Sequence, residues 1–197
     1  SDWLRAPCEH EYTLNFQLGA QAQDHTELKR NEGLRVHSPG LLLAQTLRAD
    51  VQHKLADGWV SQRYGEKRPA PALRSTIKSS NANFDTLLLP WRDIEPTVHL
   101  EDVAVEARGA NITAPSALRI NLQSGDKRTT DFWFHSHDKE VLNWRIDRFE
   151  FTGRWVFWRE ADYGRVLHAV SHSGASLRST QNGRTAQIAL EIEGTIA

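Results

Sequence analysis

Polar and apolar residues alternate along most of the chain, and no other feature constrains its fold as tightly. Successive strand side chains point to opposite faces, so a period of two marks a strand with one buried and one wet face. Glu11 to Leu18 alternates without a break. Thr97 to Glu106 alternates with one slip at Glu101-Asp102, the mark of a β-bulge. Ser116–Leu122, Asp147–Thr152 and Ala186–Ile192 repeat the pattern. Turn residues fall between these runs, at Ser124-Gly125-Asp126, Thr152-Gly153-Arg154, Ser173-Gly174 and Asn182-Gly183. The last is a strong hairpin signal, because a type I′ turn needs positive φ at both central residues. Leu41 to Leu55 has helix-forming residues but no N-cap, since Pro39-Gly40 precede it, and it reads as two strands. Arg68-Pro69-Ala70-Pro71 is a stiff extended segment, because each proline fixes its own φ and restrains the residue before it. Strands spaced about 8–12 residues apart with turns between them are the pattern of sandwiches and barrels. The expected fold is therefore all-β, an antiparallel β-sandwich of many short strands. It is read as one domain over 1–197, with a subdivision near 67–80.

Composition narrows the function classes. At 197 residues the chain can bury about 70% of its unfolded surface and needs no covalent staples. A formal net charge of -1 supplies no field to attract nucleic acid or an anionic membrane, so neither partner is expected. No apolar run approaches the length of about 18 residues that spans a bilayer. Cys8 is the sole cysteine and has no internal partner. The chain has no methionine, even at position 1, and is expected to be a piece of a longer protein.

Four groups of residues could carry chemistry. His135 and His137 stand two apart on a strand, so both side chains point one way and could reach one metal ion. Asp131, Asp138, His168 or His172 would have to supply the third ligand. Nucleophilic catalysis has little support, because no Gly-x-Ser-x-Gly elbow occurs and Cys8 with His10 merely flanks a strand start. Seven tryptophans are a rich supply for one β fold, and an indole face stacks on the C–H face of a sugar ring. Trp155 and Phe157 share one strand face and Trp158 takes the other, so Trp155 and Trp158 are both candidates for glycan contact. The stretch 59–68 joins Trp59 and Tyr64 to Arg63, Lys67 and Arg68, and guanidinium forks suit carboxylates and sulfates. An acidic sugar would fit there. Asn111-Ile112-Thr113 matches a glycosylation sequon, which has meaning only in a cell that glycosylates.

A family resemblance passes through that same stretch. Glu9 to Leu18, then Gly58-Trp59-Val60-Ser61-Gln62-Arg63-Tyr64-Gly65, then Arg68 to Leu73, then Phe84 to Pro90 resemble, in order and spacing, the C-terminal β region of heparinase II/III-like polysaccharide lyases. The resemblance covers about residues 9–90. It implies a parent with an α/α-toroid domain that cleaves uronate-containing polysaccharides by β-elimination. In such an enzyme a base takes the proton α to the carboxylate while an acid protonates the leaving oxygen. The toroid carries the catalytic residues, and none of their motifs is matched in this chain. The resemblance thus implies a non-catalytic β region whose 59–68 loop lies near the substrate. It also implies an acidic polysaccharide and the toroid domain as partners and a periplasmic or secreted location; no cofactor is expected in this chain. Two alternatives stay open: an independent carbohydrate-binding module, and a metal-dependent enzyme built on His135 and His137.

Overall fold

The computed structural model describes the chain except for residues 32, 108–114, 138–141, 162–163, 173–175, 182–183, 189–190 and 193–197. The regular structure of the described residues is nearly all β-strand, arranged in four sheets. Every strand pairing is antiparallel except one short parallel pair near the C-terminus. The sequon, the Asn182-Gly183 and Ser173-Gly174 turns and Asp138 lie outside the described residues. No helix among the described residues is long and apolar enough to cross a membrane.

The chain divides into two compact units, 1–96 and 97–197. The first has a three-stranded sheet of β1 (Asp2–Gln17), β6 (Arg68–Phe84) and β5 (Val51–Val60), with β6 in the centre. A four-stranded sheet follows the order β2 (Glu27–Lys29), β3 (Leu34–Ser38), β4 (Leu41–Gln45), β7 (Thr86–Pro90). Leu41–Leu55 does form two strands, because its first residues pair with both β3 and β7. The stretch 67–80 is not a break in the chain; from Arg68 on it is part of the long strand β6. Its prolines are tolerated because Pro69 and Pro71 pair with β5, whereas pairing with β1 begins only at Ala72. The Pro71 carbonyl, left at that edge, accepts from the backbone N–H of Leu18 at 3.0 Å. Leu34, Val36, Leu43 and Leu73 form the buried centre of this unit.

The second unit is a two-sheet sandwich. Six strands make one sheet: β18 (Glu191–Ile192), β15 (Val166–His172), β14 (Trp155–Glu160), β11 (Lys127–His135), β10 (Ser116–Ser124) and β8 (Thr97–Asp102). Five make the other: β17 (Arg184–Ile188), β16 (Ser176–Gln181), β13 (Phe149–Gly153), β12 (Leu142–Ile146) and β9 (Glu106–Ala107). The slip near Glu101-Asp102 turns out to be larger than a bulge. Asp102 still pairs with Leu118 in the first sheet, while Glu106 pairs with Arg145 in the second. The chain changes sheets between them, as sandwich corners do. Gly125 takes φ +58° in the two-residue turn joining β10 and β11, where a residue with a β-carbon would be strained. Asp147 and Arg148 are not strand residues, despite the alternation that includes them. They form the two-residue turn between Ile146 and Phe149.

Aromatic side chains fill the sandwich. Trp158 stacks on Phe132 with ring centroids 4.7 Å apart and also meets Phe149 at 4.6 Å. Phe134 meets Trp144 at 4.9 Å and Phe151 at 4.6 Å. The Trp144 indole N–H donates to the Gly153 carbonyl at 2.8 Å, so the ring is buried without stranding a donor. Trp158→Ala should cost about 3–5 kcal/mol in urea unfolding, the usual range for a buried tryptophan. Trp133→Ala, half-buried on the opposite face of the sheet, should cost clearly less; equal losses would contradict this assignment of the core face.

Candidate functional site

The 59–68 segment is the end of the β5–β6 hairpin. Val60 and Arg68 are the last pair of the ladder, and Trp59 lies opposite Pro69. Beneath the loop, Gly58 is required by a close approach: a β-carbon there would lie 2.6 Å from the Gln17 side-chain oxygen and 3.0 Å from the Ala70 carbonyl. The Gln17 amide crosses over Gly58 and donates to the carbonyls of Ala70 at 3.2 Å and Pro71 at 3.0 Å. This ties the base of the hairpin to β1. The loop is closed internally by Ser61 Oγ donating to the Arg63 carbonyl at 2.7 Å and by the Glu66 N–H donating to the same carbonyl at 3.1 Å.

The candidate side chains on this hairpin are left open to solvent, and Lys67 is brought to Trp59. Trp59 is 54% exposed and Tyr64 is fully exposed. The Lys67 ammonium lies 4.6 Å from the Trp59 ring centroid, within cation–π range. Arg68 reaches Glu66 at 3.4 Å, while Arg63 lies exposed at the tip. Three cations face a single carboxylate, so the hairpin is locally basic on a chain of nearly neutral charge. An exposed indole with an ammonium over it can stack on an apolar ring face while the hairpin's cations pair with carboxylates or sulfates.

The other candidates fare differently. Trp158 is a correction: it is fully buried between Phe132 and Phe149, so no glycan can reach its ring. Trp155 lies on the opposite, half-buried face of β14, with His135 as its ladder partner. It belongs to the second unit, the hairpin to the first. His135 and His137 do meet, with rings nearly perpendicular and 4.7 Å apart. Among the described residues, however, no group of three His, Cys, Asp or Glu side chains is placed to hold a metal ion. Asp131, one of the third ligands considered, is instead held by Arg159 through two hydrogen bonds of 2.7 and 2.6 Å. Cys8 Sγ contacts His10 Nε2 at 3.4 Å in an exposed stretch where the β1 ladder slips.

A serine–histidine contact was not anticipated from the sequence. His53 Nδ1 lies 2.9 Å from Ser75 Oγ, and both residues are buried. Ser75 donates to Gln45 Oε1 at 2.8 Å, and Gln45 Nε2 donates to Thr86 Oγ1 at 2.7 Å. The hydroxyl proton is thus committed to Gln45, and His53 must donate from Nδ1. That is the reverse of a base activating a nucleophile, so the pair is a structural strut across β5, β6, β4 and β7. Arg30 donates to the His53 carbonyl. Burial, and secondly the Arg30 charge, hold the His53 pKa below its ordinary value. The unfolded chain therefore binds this proton more readily than the folded one, and stability falls as pH drops below about 6.5. The melting temperature should fall over that window in the wild type and fall less in His53→Gln; parallel curves would contradict the assignment.

No family model, curated protein or solved structure matches this chain.

Proposed function

We propose that this chain is a non-catalytic β-sandwich region that holds acidic polysaccharide on its β5–β6 hairpin, as part of a uronate-glycan lyase. The observation that carries this reading is the exposed Trp59 with Lys67 over its ring and Arg63, Tyr64 and Arg68 on the same hairpin. The lyase parent is supported by the resemblance over residues 9–90, which includes that hairpin. The exposed indole and phenol on a hairpin that carries three cations support the reading. In this reading the chemistry of β-elimination belongs to the toroid domain, and the hairpin contributes affinity and orientation. The hydroxyls and carboxylates of an acidic glycan are matched by the cations, and the sugar ring by Trp59. The polysaccharide and the location outside the cytoplasm are part of the same proposal.

Titration of the chain with alginate and heparin, followed by tryptophan fluorescence, tests the reading. Binding of at least one should be saturable and should weaken with added salt, because exposed charges are screened. Trp59→Ala should lower affinity about tenfold, the equivalent of one good ring contact. It should leave stability within about 0.5 kcal/mol, since the side chain is exposed. The chain alone should form no unsaturated product. Failure to bind any acidic glycan, or equal affinity of Trp59→Ala, would overturn the proposal.

A further inference from the structure

A cavity of about 550 Å³ lies within the unit 97–197. Ladder register sets His99 opposite Asn121, Asn121 opposite Thr130, and Thr130 opposite Glu160. Residues in register share a face, so these four form a polar row across β8, β10, β11 and β14. Two residues further along β11 and β14, on that same face, stand Phe132 and Trp158. The row therefore marks where the sandwich interior changes from apolar to polar.

Arg148, from the β12–β13 turn, joins the row. Its terminal nitrogen Nη2 donates to both Glu160 oxygens at 2.8 Å and to the Gly164 carbonyl at 3.3 Å. Gly164 has φ +74°, and a β-carbon there would lie 2.5 Å from that nitrogen. The glycine thus gives the guanidinium its seat. Arg148 Nε is buried and has no hydrogen-bond partner. Such a stranded donor is costly.

Charge and side-chain chemistry limit what enters. Arg128 also lines the cavity and is exposed. Among the described lining residues, two guanidinium groups against the Glu160 carboxylate leave one positive charge, which suits a monoanion. A phosphate dianion would leave a negative charge beside the buried Glu160. Burial already raises the Glu160 pKa, with Arg148 opposing that shift, so further negative charge there is unfavourable. Among the described residues the lining has no tryptophan, tyrosine or phenylalanine, and what these residues offer a ligand is hydrogen bonds. Thr130 donates to Asn121 Oδ1 at 3.0 Å, which leaves the Asn121 NH2 group for another acceptor. His99 and Gln123 add further polar groups.

We propose that this cavity binds a small hydroxylated monocarboxylate of the sugar-acid class, with its carboxylate toward Arg128 and Arg148 and its hydroxyls toward Asn121, His99 and Thr130. The cavity is lined by residues of the second unit and the hairpin belongs to the first, and the two sites are tested independently. The full chain is titrated with glucuronate while the side-chain amide signals of Asn121 and Gln123 are followed by ¹⁵N NMR. Saturable shifts are expected with a dissociation constant of about 1 mM, usual for so small a ligand. Arg128→Ala, at an exposed position that should not disturb folding, should weaken binding about tenfold. Glucose should bind at least about tenfold more weakly, and inorganic phosphate should not displace glucuronate. Trp59→Ala should leave glucuronate binding unchanged, which separates this site from the hairpin. Absence of a saturable shift, equal binding of glucose, displacement by phosphate, or an unaltered Arg128→Ala titration would overturn the proposal.

Discussion

The packing of Trp158 between Phe132 and Phe149 is the contact on which the second unit depends. Phe132 and Trp158 come from neighbouring strands of one sheet, and Phe149 comes from the facing sheet. Their contact fixes the face each strand turns inward. A slip of one residue in β14 would carry Trp158 out and Phe157 in, and would reverse every side chain of that strand. The stack therefore sets register as well as supplying burial. It also locates the polar end of the interior, because Glu160 follows Trp158 on the same face and cannot be buried without Arg148.

Much of the architecture was legible in the alternation. Ser116–Leu122 and Glu11–Leu18 are strands because their apolar residues fall on every second position. Which face of 155–160 is buried was not legible, and the reason is physical. Trp155 and Phe157 are as apolar as Val156 and Trp158, so the pattern is degenerate and only tertiary pairing breaks the tie. The clue was Glu160: an acid two residues after Trp158 marks that face as one where the interior ends. Asp147 and Arg148 misled because alternation continues through a two-residue turn. Asp147 sits at φ +52°, a conformation that aspartate tolerates better than most residues.

The same reasoning explains what was read and missed at the sites. The hairpin residues are close in sequence, so their meeting was visible in the spacing of 59–68. His53 with Ser75, and Arg148 with Glu160, are assembled by ladder register and a sheet-to-sheet turn, and no local motif announces them. What sequence offers there is a polar residue at a core-facing position, His53 between Val51 and Leu55 and Glu160 after Trp158. Each is held by a specific partner, His53 by Ser75 and Glu160 by Arg148.

The central claim is that the hairpin takes hold of an acidic glycan through its indole. The most direct measurement is the ¹⁵N NMR signal of the Trp59 indole N–H during titration with alginate oligosaccharide. The account predicts that this signal moves first and furthest among the seven indoles, together with the backbone amides of 63–68. An unmoved Trp59 signal while other indoles shift would contradict it.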